Sequence, residues 1–338
     1  MDDLNIRKTG RAGRITFTRP KALNALSHEM ARTIHRALDG WRDDPDVALV
    51  IIDAEGDRAF CAGGDIAAVY RAGLAGEHAA GQRFFADEYR MNAAIADYPK
   101  PIVALMQGFV MGGGVGVGGH ASHRIVGDTT QIAMPESGIG LIPDVGGTWL
   151  LSRAPGRIGE YLALTGARMG AGDAIHAGFA DTYLPESEWP DLIARLEETG
   201  DLSLIEGAHA PTAPLRTMDL SPFAAETVPD IIDALEEDGN AQVLKILHAN
   251  SPLSMAAGLA MVRAARGDSR MQDSLAREYR FTYRATQDTD FLEGVRAQII
   301  DKDRNPKWRH AGPEAVPAVD VAKMLMPLGA DALSFEEN

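Results

Sequence analysis

The spacing of apolar positions changes along the chain, and each change predicts an element. Arg14-Ile15-Thr16-Phe17-Thr18 alternates with period two, as a strand with one buried face does. Ser27 then precedes a stripe of Met30, Ile34, Leu38 and Trp41, which predicts a capped amphipathic helix. Val47-Ala48-Leu49-Val50-Ile51-Ile52 is apolar throughout, the pattern of a strand covered on both faces. A helical stretch over about 78–95 and a second apolar run, Ile102-Val103-Ala104-Leu105, repeat the rhythm. Strand and helix alternating in this way predict an α/β fold with right-handed crossovers.

From about residue 156 the period is helical. Ser251-Pro252 supplies a cap and a first-turn proline, Met255, Leu259 and Val262 share one face, and Gly267 lies beyond the end. Met271, Leu275 and Tyr279 continue the pattern, and Phe291, Val295 and Ile299 repeat it. Residues 200–230 are weakly periodic and contain Pro and Thr, and are read as an irregular insertion. No internal repeat is evident.

The composition narrows the class. In 338 residues, 48 acidic side chains outweigh 33 basic ones for a net charge of −15. That balance disfavours a general binder of nucleic acid or anionic membrane, because phosphate affinity is mostly cationic neutralisation. A hydrophobic fraction of 45% argues against disorder. Cys61 is the single cysteine, so neither an internal disulfide nor a cysteine-cluster metal site can form. The start, Met1-Asp2-Asp3-Leu4-Asn5, is not that of a signal peptide, and the apolar stretch 101–117 is broken by Gln107 and five glycines. A cytoplasmic location is the expectation.

Seven glycines fall between Gly108 and Gly119, where backbone must approach something closely. Phe60-Cys61-Ala62-Gly63-Gly64-Asp65-Ile66 and Met111-Gly112-Gly113-Gly114-Val115-Gly116 each follow a strand and open a helix. Backbone N–H groups at two such turns can hold an oxygen that becomes negative during reaction, and one donor shielded from water is worth about 3–4 kcal/mol in a transition state. Tight packing alone is the other reading of these glycines. Gly114, Gly116 and Gly119 formally match G-x-G-x-x-G, but no βαβ unit with a ribose-binding acid follows cleanly. Neither a P-loop nor a G-x-S-x-G elbow is present. His120 and His123 lack a carboxylate at helical spacing and are read as packing or surface residues, and Cys61 as a small buried residue.

Two carboxylates are the sharper signal. Glu136 follows Ile132-Ala133-Met134 and a proline that restricts the backbone; Asp144 lies between Pro143 and Val145-Gly146-Gly147. Their neighbours Ile139, Leu141, Ile142 and Val145 are apolar, so either acid can be desolvated and tuned for acid–base work. A helix cap at Glu136 and a simple turn at Asp144 are equally open.

Arg19-Pro20-Lys21-Ala22-Leu23-Asn24-Ala25-Leu26, the two glycine turns and Leu162-Ala163-Leu164-Thr165-Gly166 together resemble, in order and spacing, the crotonase (enoyl-CoA hydratase/isomerase) superfamily. The resemblance implies an α/β fold built as a spiral of ββα units, with a CoA-thioester-binding core over 1–200 and a helical C-terminal region over 201–338. It implies an acyl-CoA thioester as substrate, coenzyme A being part of that substrate, with no separate cofactor or metal. A homo-oligomer, trimer or hexamer, is also implied. By position, Gly64 and Gly113 would give the oxyanion-hole N–H groups. Ala62, Asp65 and Ile66 would line the adenine and pantetheine path, with Arg19 and Lys21 at its entrance.

Hydratases of this superfamily carry a catalytic glutamate two residues after the triple glycine. Gly116 stands there in this chain, while the second glutamate is kept as Glu136. Asp144 occupies a place where hydratases usually have glycine. This departure, with Ile139–Gly147 and Asp290-Phe291-Leu292-Glu293-Gly294-Val295-Arg296-Ala297, is similar to the branch that hydrolyses 3-hydroxyisobutyryl-CoA. The segment Phe84–Tyr89 supplies that branch's further glutamate as Glu88. The resemblance therefore implies that Glu136 is nucleophile or general base and that Asp144 orients water or the 3-hydroxyl. Glu88 would bind the same hydroxyl. An enoyl-CoA hydratase or isomerase, and a non-catalytic CoA-thioester binding protein, are the rival readings.

Overall fold

A computed structural model describes residues 3–335. Its strands, in chain order, are β1 (Leu4–Thr9), β2 (Ala12–Phe17), β3 (Leu49–Ala54), β4 (Ala59–Cys61), β5 (Ile102–Met106), β6 (Phe109–Met111), β7 (His123–Val126), β8 (Gln131–Ala133) and β9 (Thr182–Tyr183). They form a six-stranded sheet ordered β1-β2-β3-β5-β7-β9 and a three-stranded sheet ordered β4-β6-β8. The hairpin β1–β2 is antiparallel, and the other pairs are parallel.

From β3 onward, consecutive strands go to different sheets. β3, β5 and β7 each enter the large sheet, and β4, β6 and β8 follow within a few residues to build the small one. A helix or helical turn comes next: Ile66–Leu74 after β4, Gly113–Gly118 after β6, Glu136–Ile139 after β8. This is the expected ββα spiral.

By contact density the chain divides into two units that interleave in sequence. The first comprises the residues up to Gly64, Asp87–Ala133 and Arg168–Thr217; the second comprises Asp65–Ala86, Met134–Ala167 and the residues from Met218 on. Every strand belongs to the first unit. Its apolar strand β3 is covered on both faces, which is why its sequence shows no alternation. On one face, Leu49, Ile51, Val103, Leu105 and Ile125 pack against Trp189, Leu192 and Leu196 of the helix Trp189–Thr199. At about 1.5–3 kcal/mol per large apolar side chain, this layer is a main support of the sheet. Ser27 caps the helix His28–Arg42 by accepting from Met30 N.

The second unit is helical. The helices Gly147–Arg153, Ile158–Thr165 and Pro252–Ala265 pack on one another, and Met271–Thr282 joins them. Ser251 caps Pro252–Ala265 through Ser254 N, as its sequence predicts. One stripe departs from expectation. The helix Phe291–Val295 runs into a π turn, Arg296–Ile300, whose wider winding rotates the face, so Ile299 is 37% exposed. Residues 202–224 carry three short 3-10 turns and no longer element.

Candidate active site

In the sheet-bearing unit, β4 and β6 lie parallel, so the glycine turns that follow them leave the small sheet side by side. The first turn is stitched to the segment before the first helix. Ala62 N–H donates to Leu23 O at 3.0 Å, Leu26 N–H donates to Gly63 O at 2.9 Å, and Leu26 and Gly64 form a parallel bridge. Buried Asn24 anchors that segment in turn, donating from Nδ2 to Glu55 O and Ala59 O and accepting from Arg19 N.

The second turn swings through Gly112 at φ +47° into the short helix Gly113–Gly118. A Cβ placed on Gly113 would lie 3.3 Å from Gly64 N and 2.7 Å from Glu88 Oε1. One placed on Gly114 would lie 2.0 Å from Cys61 O. Close approach to backbone requires glycine at 114, whereas at 113 a methyl would meet first the far end of Glu88, and Gly64, Gly113 and Glu88 are gathered in one neighbourhood. Glu88, on the helix His78–Ala96, is only 2% exposed.

The remaining expected residues of this region fall around the first turn. Ala62 is half-buried, Asp65 and Ile66 are half-buried at the start of the helix Ile66–Leu74, and Lys21 is exposed on the turn Pro20–Ala22. Arg19 is turned inward, donating to Ala25 O at 3.0 Å. The Cys61 thiol is pushed up to about 12, by burial first and by the charge of Glu88 as a lesser cause. Such a thiol is not a nucleophile at neutral pH. Gly114 and Gly116 lie inside the helix Gly113–Gly118 rather than in a loop ahead of it, so the dinucleotide motif is fortuitous. Among the described residues no group of three His, Cys, Asp or Glu is placed to hold a metal.

In the helical unit, Glu136 opens the turn Glu136–Ile139 and is 5% exposed. The backbone of that turn is held from several sides. Ser137 Oγ donates to Ala163 O, Ser251 N–H donates to Ser137 O, and Leu141 N–H donates to Glu136 O. Gly140, at φ +73°, sits so close to Asp290 that a Cβ would fall 2.4 Å from its carbonyl. Asp290 is fixed by Ser251 Oγ at 2.6 Å and Arg309 N at 2.9 Å. The glutamate is thus presented by a turn that cannot drift.

Asp144, 4% exposed, begins a tight loop in which Gly147 N–H donates to Asp144 O at 2.6 Å. Val145 and Gly146 both adopt left-handed backbone, at φ +55° and +79°. The N–H groups of Gly146 and Thr148 donate to Glu278, at 2.8 and 3.0 Å, and Thr148 Oγ1 donates to it as well. Periodicity did not single out Glu278, which is fully buried on the helix Met271–Thr282. Its signal was present nonetheless: it lies seven residues after Met271, on the apolar stripe.

Burial, and secondarily the charge of Asp144, push the Glu278 carboxyl up from 4.5 to about 7, against the hydrogen bonds from Thr148 and Gly146. The folded chain therefore retains this proton where an unfolded glutamate has lost it. Its contribution to stability is full below about pH 4.5 and is lost as pH rises through about 7. Urea unfolding at about pH 5 and about pH 8 checks the sign. On that step the parent chain is expected to lose stability relative to Glu278→Gln, which does not titrate. Equal changes in both would refute it.

Comparison with known proteins adds three findings. The enoyl-CoA hydratase/isomerase family profile matches residues 12–325. The chain is 43% identical to a mitochondrial 3-hydroxyisobutyryl-CoA hydrolase of Xenopus tropicalis, over 89% of this chain and 83% of that one. It is 38% identical to the Gallus gallus protein of the same name, over 98% and 91%. Among solved structures, one described as an enoyl-CoA hydratase from Rhodobacter sphaeroides superposes with TM-score 0.95 at 57% identity, covering 98% of this chain and 100% of that one.

Proposed function

The chain belongs to the enoyl-CoA hydratase/isomerase family, and on that premise we infer that it hydrolyses a short 3-hydroxyacyl-CoA thioester, 3-hydroxyisobutyryl-CoA, to the free acid and coenzyme A. The observation that carries the reading is the carboxylate pattern: Glu136 and Asp144 are both buried and held, while the position of the hydratases' other glutamate is Gly116, inside a glycine helix. Adding water across a double bond uses two carboxylates in those relatives, and this chain has lost one of them.

In this reading the thioester oxygen accepts from the N–H groups of Gly64 and Gly113, which stabilise it as it becomes negative. Glu136 attacks the carbonyl carbon, expels the CoA thiolate and forms a mixed anhydride, which water then hydrolyses to regenerate the carboxylate. The alternative course has Glu136 take a proton from the attacking water. Asp144 orients that water or the 3-hydroxyl, and Glu88 binds the hydroxyl. Lys21, Ala62, Asp65 and Ile66 take the CoA portion. A cytoplasmic homo-oligomer completes the proposal, and no helix among the described residues is long and apolar enough to cross a membrane.

The description of the Rhodobacter sphaeroides structure favours a second reading, an enoyl-CoA hydratase. One assay separates the two: thiol release from 3-hydroxyisobutyryl-CoA beside absorbance loss with crotonyl-CoA. Thiol release alone is expected. Absorbance loss alone would replace the hydrolase by the hydratase, and neither signal would leave a binding protein.

A further inference from the structure

We infer that Glu278 is a positioning residue for Asp144, acting as a buried clamp that keeps the 144–148 loop in the conformation that presents the aspartate. The loop does not hold this shape by itself. Val145 is a β-branched residue at φ +55°, a left-handed conformation that such side chains rarely adopt. With Gly146 also left-handed, the N–H groups of Gly146 and Thr148 turn to the same side. Both meet one carboxylate, Gly146 N at Oε2 and Thr148 N at Oε1, and the Thr148 hydroxyl adds a third donor.

A carboxyl group with no exposed surface is costly unless its oxygens are satisfied, and here each oxygen accepts from this loop. The helix Met271–Thr282 otherwise buries mostly apolar or small side chains, Met271, Ser274, Leu275 and Phe281 among them, with Gln272 the other long polar one. A leucine at 278 would suit them better and would leave two buried N–H groups without acceptors. The carboxylate is thus matched to the loop rather than to the core.

The inference rests on the hydrolase reading, in which Asp144 acts on the reacting water or the substrate hydroxyl. Steady-state thiol release from 3-hydroxyisobutyryl-CoA is measured for the parent chain, Asp144→Asn, Glu278→Gln and the double variant, with circular dichroism to confirm folding. An amide at 278 can accept from one N–H but presents its own NH2 to the other. Glu278→Gln is therefore expected to lower kcat by about 10- to 100-fold with KM changed less than about threefold. In the Asp144→Asn background the same change is expected to cost almost nothing further.

Losses that multiply in the double variant would show that Glu278 acts independently of Asp144 and overturn the inference, as would an unaltered kcat for Glu278→Gln. A silent Asp144→Asn would overturn it too. Should Glu278→Gln not fold, Thr148→Ala removes one donor and leaves the carboxylate. Its expected loss in kcat is about threefold, again absent when Asp144 is already replaced. A parent chain that releases no thiol defeats the hydrolase reading and this inference together. A parent chain that turns over, with multiplying losses, defeats the inference alone.

Discussion

Glu136→Gln is expected to reduce thiol release by about 10³-fold or more while leaving KM and the unfolding midpoint nearly unchanged. The expectation rests on how the residue is held. Its backbone is fixed by Leu141 N–H, by Ser137 and its two partners, and by the contact of Gly140 with Asp290. Glutamine has the same shape, so it fits the same turn. What it lacks is the charge: an amide neither attacks a thioester nor takes a proton from water. Parent-like turnover by this variant would remove Glu136 from the chemistry. Single turnover in ¹⁸O water resolves its role further. Label recovered in Glu136 identifies the anhydride route with water attacking the glutamyl carbon, whereas label confined to the product acid fits the general base or an anhydride opened at its acyl carbon.

Two neighbouring glycines are expected to separate stability from turnover. In Gly114→Ala the new methyl would be 2.0 Å from Cys61 O and 3.0 Å from Cys61 C, both backbone atoms at the end of β4. Backbone cannot swing aside as a side chain can. The strand and the glycine helix must move apart, at a cost of about 1–3 kcal/mol or more. In Gly113→Ala the nearest atom is Glu88 Oε1 at 2.7 Å, the far end of a flexible side chain. The fold should survive with little loss, but the methyl displaces Glu88 and crowds Gly64 N at 3.3 Å. Turnover is then expected to fall by about 10²-fold, the scale of one lost oxyanion donor. Urea midpoints and kcat measured on both variants check the contrast. A stable Gly114→Ala beside an unfolded Gly113→Ala would refute the geometry.

What could be read from the sequence, and what could not, follows from the length of each signal. β3 and β5 were legible because burial on both faces produces a continuous apolar run. β4, β6 and β8 have three residues each, too few to display a period, and the small sheet was visible only through the glycines beside it. The ββα repeat leaves no internal repeat in the sequence, because it is a repeat of topology and not of residues, and it is implied only by the family resemblance. Ile299 fell off its stripe because a π turn breaks the phase on which the stripe was counted. Glu136 and Asp144 are marked by local chemistry, prolines and apolar flanks, and the two turns by their glycines; which glycines, Gly64 and Gly113, only the family resemblance implies. Glu278 was missed because its partner Gly146 lies 132 residues earlier, and no local pattern reports a pairing at that distance.

The alternation of strands between two sheets also bears on how the chain is made. Since β3, β5 and β7 extend one sheet while β4, β6 and β8 extend the other, both grow in step during synthesis, each presenting an open hydrogen-bonding edge until its last strand arrives. The large sheet waits for β9 at Thr182–Tyr183. The layer that covers one of its faces arrives later still, with Trp189–Thr199. The 144–148 loop leaves the ribosome well before the helix that carries Glu278, so through that interval the N–H groups of Gly146 and Thr148 lack the acceptor they have in the folded chain. The shape of that loop thus depends on the last third of the chain, which brings the helix Met271–Thr282.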